Sequence, residues 1–307
     1  MQKIIVIVGP TASGKSVLAV RLAKKFNGEV ISADSRQVYR GLEIGSAAIT
    51  EKEARGVPHH LIGIVSPRET FTAGRFVATA RDAIKDIARR GHVPVIAGGT
   101  AFWIDALVYN LSLPEVAPNA RLRRALEKKS PAHLLAILKK MDPRRAAEVE
   151  QKNPRRLIRA IEIARFLGTT PPLRHLASYH TLWIGINQSY ETRSHRIEER
   201  VRTMIAAGLL AEIKQLLRKK ITQKRIREFG FEYAAALDAI AGKIPITELA
   251  PRIIRDTLRY AKRQTRWWKR NPEIRWLENP NHAAPLVRKF LQKNPSPVPK
   301  RYSGLRS

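Results

Sequence analysis

The segment that most limits how this chain can fold lies at its start. Lys3–Val8 is a short β-branched run that passes directly into Gly9-Pro10-Thr11-Ala12-Ser13-Gly14-Lys15-Ser16, a full match to G-x-x-x-x-G-K-[ST]. Ser16–Phe26 follows, with Leu18, Leu22 and Ala23 at helical spacing. Strand, glycine-bounded loop and helix in that order make a phosphate-binding loop (P-loop). The glycines let successive backbone N–H groups point inward, and the helix adds its positive N-terminal end. Lys15 brings a charge to terminal phosphates, and the Ser16 hydroxyl can reach Mg²⁺.

The rest of the first hundred residues keeps the alternation. Glu29–Ala33 reads as a second strand closed by the polar turn Asp34–Ser35, and Leu61–Val65 as a third. A helix is expected from Thr72 to before Gly91, with Phe76, Val77, Ala80, Ile84 and Ile87 on one face. Val93–Ala97 is a strand running into Gly98-Gly99-Thr100. Such alternation predicts the α/β class, a P-loop NTPase-like parallel sheet flanked by helices. Residues 114–179 carry helical patterns only, broken at Ser130–Pro131, Asp142–Pro143, Asn153–Pro154 and Pro171–Pro172, and Leu182–Asn187 returns to strand. The expected organisation is a core from 1–113 plus 180–307 with basic C-terminal helices, interrupted by a helical insertion domain at 114–179. Everything after Leu182–Asn187 reads as helix, including one long helix over Arg196–Leu217, until a loose tail from Lys293.

Charge narrows the partner. Of 307 residues, 57 are Lys or Arg and 26 are Asp or Glu, a net charge of +31; residues 101–307 alone carry +24. Self-repulsion on this scale does not help a fold, and a polyanion is its usual reason. No apolar run approaches the roughly 20 residues that span a bilayer. The chain has no Cys, which removes disulfides, thiolate metal sites and cysteine nucleophiles. A cytoplasmic enzyme or binding protein, working as a monomer and away from membranes, is expected.

Two further features carry chemistry. A nucleotide-hydrolysing P-loop protein normally has a strand ending in Asp that orders Mg²⁺. Here the matching strand, Val93–Ala97, ends in Gly-Gly-Thr, and the nearest suitable acid is Asp34, at the carboxyl end of the second strand, where ligands sit in parallel sheets. Near the other end, Arg252, Arg255, Arg259, Arg263, Arg266 and Arg270 recur every three or four residues, so they line one helix face. Ile254, Leu258, Ala261, Thr265 and Trp268 fall on another, expected to bury. A continuous arginine ridge is a phosphate-tracking surface. A second cluster, Asn153-Pro154-Arg155-Arg156-Leu157-Ile158-Arg159, adds three arginines.

Taken together, the motifs resemble those of the tRNA dimethylallyltransferase (tRNA isopentenyltransferase) family up to about residue 278. They occur in order: GPTASGKS (9–16), ISADSRQVYRGLEIGSA (31–47), PHHLI (58–62), FTAGRF (71–76), VPVIAGGT (93–100), NPRRLIRAIEI (153–163), RIEERVRTMIAAGLLAEI (196–213) and YAKRQTRWWKR (260–270). The resemblance implies transfer of a dimethylallyl group from dimethylallyl diphosphate to the N6 amine of adenosine 37, beside the tRNA anticodon, with Mg²⁺ as cofactor. It makes the missing strand-end Asp an expected feature, since the loop then holds a prenyl diphosphate and hydrolyses no ATP.

By matching positions, Gly9, Pro10, Thr11, Ala12, Ser13, Gly14, Lys15 and Ser16 hold the diphosphate, Ser16 and Asp34 assist the metal, and Arg200 adds charge to the leaving group. Asp34 takes the N6 proton while Thr11 and Thr100 position the substrates. The tRNA anticodon stem-loop is expected on Asp34, Ser35, Arg36, Gln37, Thr100, Arg121, Arg123, Arg155, Arg156, Leu157, Ile158, Arg159, Arg227, Gly230, Arg263 and Arg266, with the insertion closing over the anticodon arm. The chain departs from the family pattern at Ala101-Phe102-Trp103, at Gly63, at Ser16 and at Phe229-Gly230-Phe231-Glu232, where an acid stands in place of a base. Three other readings stay open: an enzyme that prenylates free adenine nucleotides, a small-molecule kinase, and a non-catalytic RNA binder.

Overall fold

A computed structural model describes residues 1–171 and 178–293. These form two compact units, 1–108 with 178–293 and 109–171. In the first, the order is β1 (Lys3–Val8), α1 (Lys15–Lys25), β2 (Gly28–Ser32), α2 (Glu51–Ala54), β3 (His59–His60), α3 (Ala73–Arg89), β4 (Val93–Ala97) and α4 (Ala101–Val108). The second contributes α5 (Ala120–Leu126), α6 (Pro131–Met141), α7 (Pro143–Glu148) and α8 (Pro154–Leu167). The chain then returns with β5 (His180–Ile186), α9 (Tyr190–Ala206), α10 (Leu209–Arg218), α11 (Gln223–Glu228), α12 (Phe231–Ile240), α13 (Ile246–Trp268), β6 (Arg275–Leu277) and α14 (Ala283–Gln292).

The six strands form one sheet in the order β3-β2-β4-β1-β5-β6, every neighbouring pair parallel. Its central strands are buried on both faces, as their near-continuous apolar runs require. Ile5, Ile7, Val30, Val95 and Ile184 pack with Leu18 and Leu22 of α1 and Val287 of α14. The alternate residues face the other way, where Trp183 meets Trp268 of α13 with ring centroids 6.2 Å apart. There Phe76 of α3 stacks on Trp103 of α4 at 4.6 Å.

Four expectations need correction. Leu61–Val65 is not a strand: Leu61 has φ 66° and Gly63 φ 60°, so the pairing residues are His59–His60 just before, and only Val65 bridges, to Tyr39. The tail region is not all helix, since Arg275–Leu277 pairs with Ile184–Ile186 as the sheet edge. The long helix over Arg196–Leu217 is two, because Gly208 at φ 103° takes the left-handed conformation that only glycine adopts cheaply. On α13 the buried line is Leu249, Ile253, Thr257, Ala261, Gln264 and Trp268, one step round from the Ile254–Leu258–Thr265 line. The tail beyond Lys293 lies outside the described residues.

The helical unit begins at Tyr109, before the expected 114. Within it the segment leading to α5 is tied to α8, where Arg159 donates to the carbonyls of Val116 and Pro114. Three of the four predicted breakers are its helix starts, and the fourth, Pro171–Pro172, runs outside the described residues. Ser130, Asp142 and Asn153 each accept the amide three residues on, and each is followed by a proline at the first helical position. Leu134, Leu138, Leu157, Ile161 and Ala164 form its core.

Candidate active site

The P-loop leaves β1 at Gly9 and enters α1 at Lys15. Gly9 sits at φ 148°, and a Cβ there would come within 2.8 Å of Ser13 Oγ, so the loop closes only over glycine. Gly14 caps α1 at φ 87°. Lys15 Nζ reaches back to the Pro10 carbonyl at 2.7 Å. Burial, reinforced by the Arg200 guanidinium and opposed by Asp34, pulls the Lys15 ammonium down to about 7.

Asp34 stands two residues beyond β2, and β4 lies between β2 and β1, so its turn and the P-loop flank Gly98-Gly99. The approach is close: a Cβ on Gly98 would fall 2.2 Å from the Ala33 carbonyl oxygen. Thr100 Oγ1 accepts the Ser35 amide at 2.9 Å and lies 3.2 Å from Ser35 Oγ, so this hydroxyl fixes the turn that carries Asp34. Gln37 is fixed too, accepting from Ser32 Oγ and donating to the Ala47 carbonyl. Among the described residues, Asp34 accepts only the Arg36 amide, at 3.0 Å on Oδ1.

Helices α9 and α13 complete the pocket. Arg200 of α9 donates to Thr11 Oγ1 at 3.1 Å. Gln264 of α13 accepts the Thr11 amide at 2.8 Å and donates to the Gly99 carbonyl at 2.8 Å, which ties the P-loop to the end of β4. Tyr260 donates to the same carbonyl, and burial beside Asp34 raises its hydroxyl to about 12. Thr11, Lys15, Ser16, Asp34, Arg36, Gln37, Gly98, Gly99, Arg200, Phe231, Glu232, Tyr260 and Gln264 surround one pocket of about 90 Å³. Ser13 and Gly14 face elsewhere, onto a separate cavity of about 840 Å³ rimmed by Val17, Arg21, Gln188, Arg196 and Asn279.

The structure thus brings together Thr11, Lys15, Ser16, Asp34, Arg36, Gln37 and Arg200, with Ser35 and Thr100 directly behind. Sequence reasoning missed Gln264, Tyr260, Phe231 and Glu232 as pocket residues. The spacing of Tyr260, Gln264 and Trp268 by four was the available signal, overshadowed by the arginines between them.

The residues assigned to RNA behave differently from one another. Leu157 and Ile158 are buried in the helical unit's core, so their side chains have no surface to offer a partner, a correction forced by packing. Arg123 and Arg159 both bond Glu162, which is 2% exposed. Burial works against that charge, but Arg123, the Asn119 amide and Arg159 overcome it and hold the carboxyl near 2. Arg227 pairs with Asp238 at 2.6 Å, and Gly230 is the seat on which Arg36 packs. Arg121, Arg155, Arg156, Arg263 and Arg266 are exposed, Arg156 beside Glu150 and Arg263 over the Tyr260 ring. Of the arginine ridge, Arg252 is taken by Asp238 and Arg259 by Asp256.

A parallel sheet with a P-loop at its centre and a carboxylate, an ammonium and guanidinium groups around one pocket defines a P-loop α/β enzyme suited to phosphate-bearing substrates. Sequence comparison makes this specific. The family described as IPP transferase matches residues 37–271, and that described as isopentenyl transferase matches residues 2–66. The chain belongs to the IPP transferase family. It is 39% identical over 305 residues to the tRNA dimethylallyltransferase of Roseiflexus sp., covering 95% of this chain and 99% of that one. The tRNA dimethylallyltransferase of Anoxybacillus flavithermus is 37% identical over 284 residues, 90% of each chain. Among solved structures, the full-length tRNA isopentenylpyrophosphate transferase of Bacillus halodurans superposes with a TM-score of 0.73 at 33% identity, covering 95% and 97% of the two chains. A eukaryotic dimethylallyltransferase acting on tRNA gives 0.80 at 28% identity, over 97% of this chain and 81% of that one.

Proposed function

We propose that the chain transfers a dimethylallyl group from dimethylallyl diphosphate to the N6 amine of adenosine 37, beside the anticodon of a tRNA, and releases diphosphate. The observation that carries this reading is Asp34, a carboxylate with a single hydrogen bond among the described residues, in one pocket with Lys15, Arg200 and the P-loop. The diphosphate replaces the Pro10 carbonyl as partner of Lys15 and takes the inward amides of the loop. Arg200, positioned by Thr11, adds a second cation where leaving-group charge develops.

The C1–O bond to the diphosphate breaks as the N6–C1 bond forms, and the N6 proton passes to Asp34 and then to solvent. The adenine amine is a weak nucleophile because its lone pair is delocalised, and a carboxylate in hydrogen-bond reach sharpens it. Ser16 and Asp34 would hold Mg²⁺. Among the described residues no group of three His, Asp or Glu side chains is placed to bind a metal, and two oxygen donors suit a cation carried mainly by substrate phosphates and water. When bound, the ion neutralises diphosphate charge.

The target base must leave the anticodon-loop stack to reach Asp34. Exposed Arg121, Arg155, Arg156, Arg263 and Arg266 would hold the RNA backbone, the helical insertion would meet the anticodon arm, and the +31 net charge supplies the field. No helix among the described residues is long and apolar enough to cross a membrane. Prenylation of free nucleotides is not favoured: the relatives carry tRNA names, and a free nucleotide has no use for this charge.

The test is nucleoside mass spectrometry on unmodified tRNA incubated with enzyme, dimethylallyl diphosphate and Mg²⁺, beside Asp34→Ala and an AMP control. Prenylated adenosine in tRNA alone, lost in the variant, is expected. Product with AMP only would replace the reading with a nucleotide prenyltransferase.

A further inference from the structure

One acid in the pocket has no part in the reaction just described. Glu232, the second residue of α12, is 5% exposed and shares the pocket with Asp34. Its Oε2 accepts Arg36 Nη1 at 2.5 Å, and it makes no other hydrogen bond among the described residues. Burying a carboxylate is costly, and a pair of this kind seldom stabilises a fold beyond what apolar residues would give. Its value lies in what it orients.

What it orients is Arg36. The guanidinium carbon sits 4.9 Å from the Phe231 ring centroid and 5.6 Å from that of Tyr260. Beneath it runs the backbone of Gly230, where a Cβ would come within 2.6 Å of that carbon. The Arg36 main chain is also engaged, its amide donating to Asp34 Oδ1. One residue therefore links the carboxylate of Asp34 to a cationic plane whose tilt Glu232 sets. A guanidinium has five N–H groups; here Nη1 meets Glu232, and Nε and Nη2 make no hydrogen bond among the described residues.

An adenine edge carries an N6 donor beside ring-nitrogen acceptors. A carboxylate next to a guanidinium with free donors is the complement of that edge. We propose that Glu232 is a positioning residue for the acceptor: it holds Arg36 so that its free donors face a ring nitrogen of the adenine whose N6 amine meets Asp34. The proposal rests on the prenyl-transfer reading above. Without Glu232, Arg36 can turn onto Asp34 and occupy the base.

Steady-state kinetics with tRNA and with dimethylallyl diphosphate varied separately, for wild type, Glu232→Gln, Glu232→Asp, Arg36→Met and the Gln/Met double variant, test this. Glu232→Gln and Arg36→Met should each raise the acceptor KM about tenfold and leave the donor KM unchanged. The double variant should be no worse than Arg36→Met, and Glu232→Asp should recover part of the loss. With anticodon-arm RNAs carrying 1-deaza- or 7-deazaadenine at the target, wild type should lose about tenfold in acceptor KM on one of them, and Arg36→Met less than twofold on either. A Glu232→Gln penalty that persists in the Arg36→Met background, or that falls on the donor KM, would overturn the assignment. So would deaza RNAs that react like adenine. Should Glu232→Gln unfold on heating below assay temperature, Arg36→Met with the deaza series decides alone. Wild type inactive on every RNA would overturn the reaction itself, and the assignment with it.

Discussion

Strand β2 has a carboxylate near each end, and the two live in opposite conditions. Glu29, at the amino end, is 1% exposed and is saturated: Arg90 donates through both terminal nitrogens, His60 approaches at 2.7 Å and His92 at 3.3 Å. Asp34, beyond the carboxyl end, holds one backbone amide. Both ends of the sheet bring basic side chains to an acid, yet only at the amino end do they close on it. At the carboxyl end Arg36 is drawn aside by Glu232 and Arg200 by Thr11, and the acid keeps its lone pairs for a ligand. An acid used for structure is finished when the chain has folded, whereas one used for chemistry is left with bonding capacity and surrounded by groups that are themselves restrained.

The sharpest way to break that contrast is to remove each acid in turn. Asp34→Ala should cut prenyl transfer by about 10²–10⁴, the range for a lost general base. Its melting temperature should stay close to wild type, because one half-buried hydrogen bond to a neighbouring backbone amide is what the fold loses among the described residues. A large drop in stability would mean that Asp34 is structural, and the contrast would fail.

Glu29→Gln should do the reverse: activity near wild type at 25 °C and a stability loss of about 1–3 kcal/mol, the scale of hydrogen bonds to charged partners. The pH dependence follows the same logic. Hydrogen bonds from Arg90, and then His60, hold the Glu29 carboxyl below its ordinary value despite burial. The native state therefore binds this proton less readily than the unfolded chain. The stabilisation is fully present above the ordinary carboxylate range and is lost as pH falls through the lowered native value. Urea titrations from pH 6 down to pH 3 should show this loss in wild type and a smaller one in Glu29→Gln, where the lowered Glu162 still contributes.

Much of this arrangement was legible in the sequence, and the reason is local. A P-loop needs its glycines and its Lys in consecutive order, so Gly9–Ser16 announces itself, and Asp34 follows from its place after a strand beside that loop. Ser130–Pro131, Asp142–Pro143 and Asn153–Pro154 show a subtler limit. They were visible as interruptions, but each is the cap and first residue of the next helix. Gln264 and Glu232 were not legible in role. Each acts on a partner more than 190 residues away, Thr11 and Arg36 respectively, and nothing in their own neighbourhood specifies that. The one-residue error on the α13 face has the same origin: periodicity gave the stripe, but which side of it packs depends on the sheet that α13 meets.

A third carboxylate extends the comparison. Asp105 of α4 is 3% exposed, and its Oδ2 accepts Trp267 Nε1 at 2.6 Å. Burial outweighs the indole bond and pushes it up to about 7. Here the native state holds the proton more tightly than the unfolded chain, so stability falls as pH rises from the ordinary carboxylate range through 7. Asp105→Asn should remove that slope, gaining roughly 2–4 kcal/mol at pH 8 and less at pH 5, with activity unchanged. A wild-type midpoint independent of pH between 5 and 8 would show that the Trp267 bond alone keeps Asp105 charged.

The smallest effect concerns the cation opposite Asp34. Burial and the Arg200 charge lower Lys15 to about 7, and Asp34 offsets only part of this. At pH 8 the free enzyme therefore holds Lys15 largely neutral. A diphosphate supplies the missing counter-charge and returns the ammonium towards its ordinary range. Binding the donor must then take up close to one proton at pH 8 and almost none at pH 6, and affinity should weaken as pH rises above 7. Calorimetry of dimethylallyl diphosphate binding in buffers of different ionisation enthalpy reads the proton count directly. Lys15→Arg, whose guanidinium stays charged, should remove the Lys15 share of the buffer dependence at pH 8 and leave only proton exchange by the diphosphate itself. Equal counts for the two enzymes would mean that Lys15 is already paired as firmly as Glu29 is, and that the carboxyl end of the sheet is no more expectant of a ligand than the amino end.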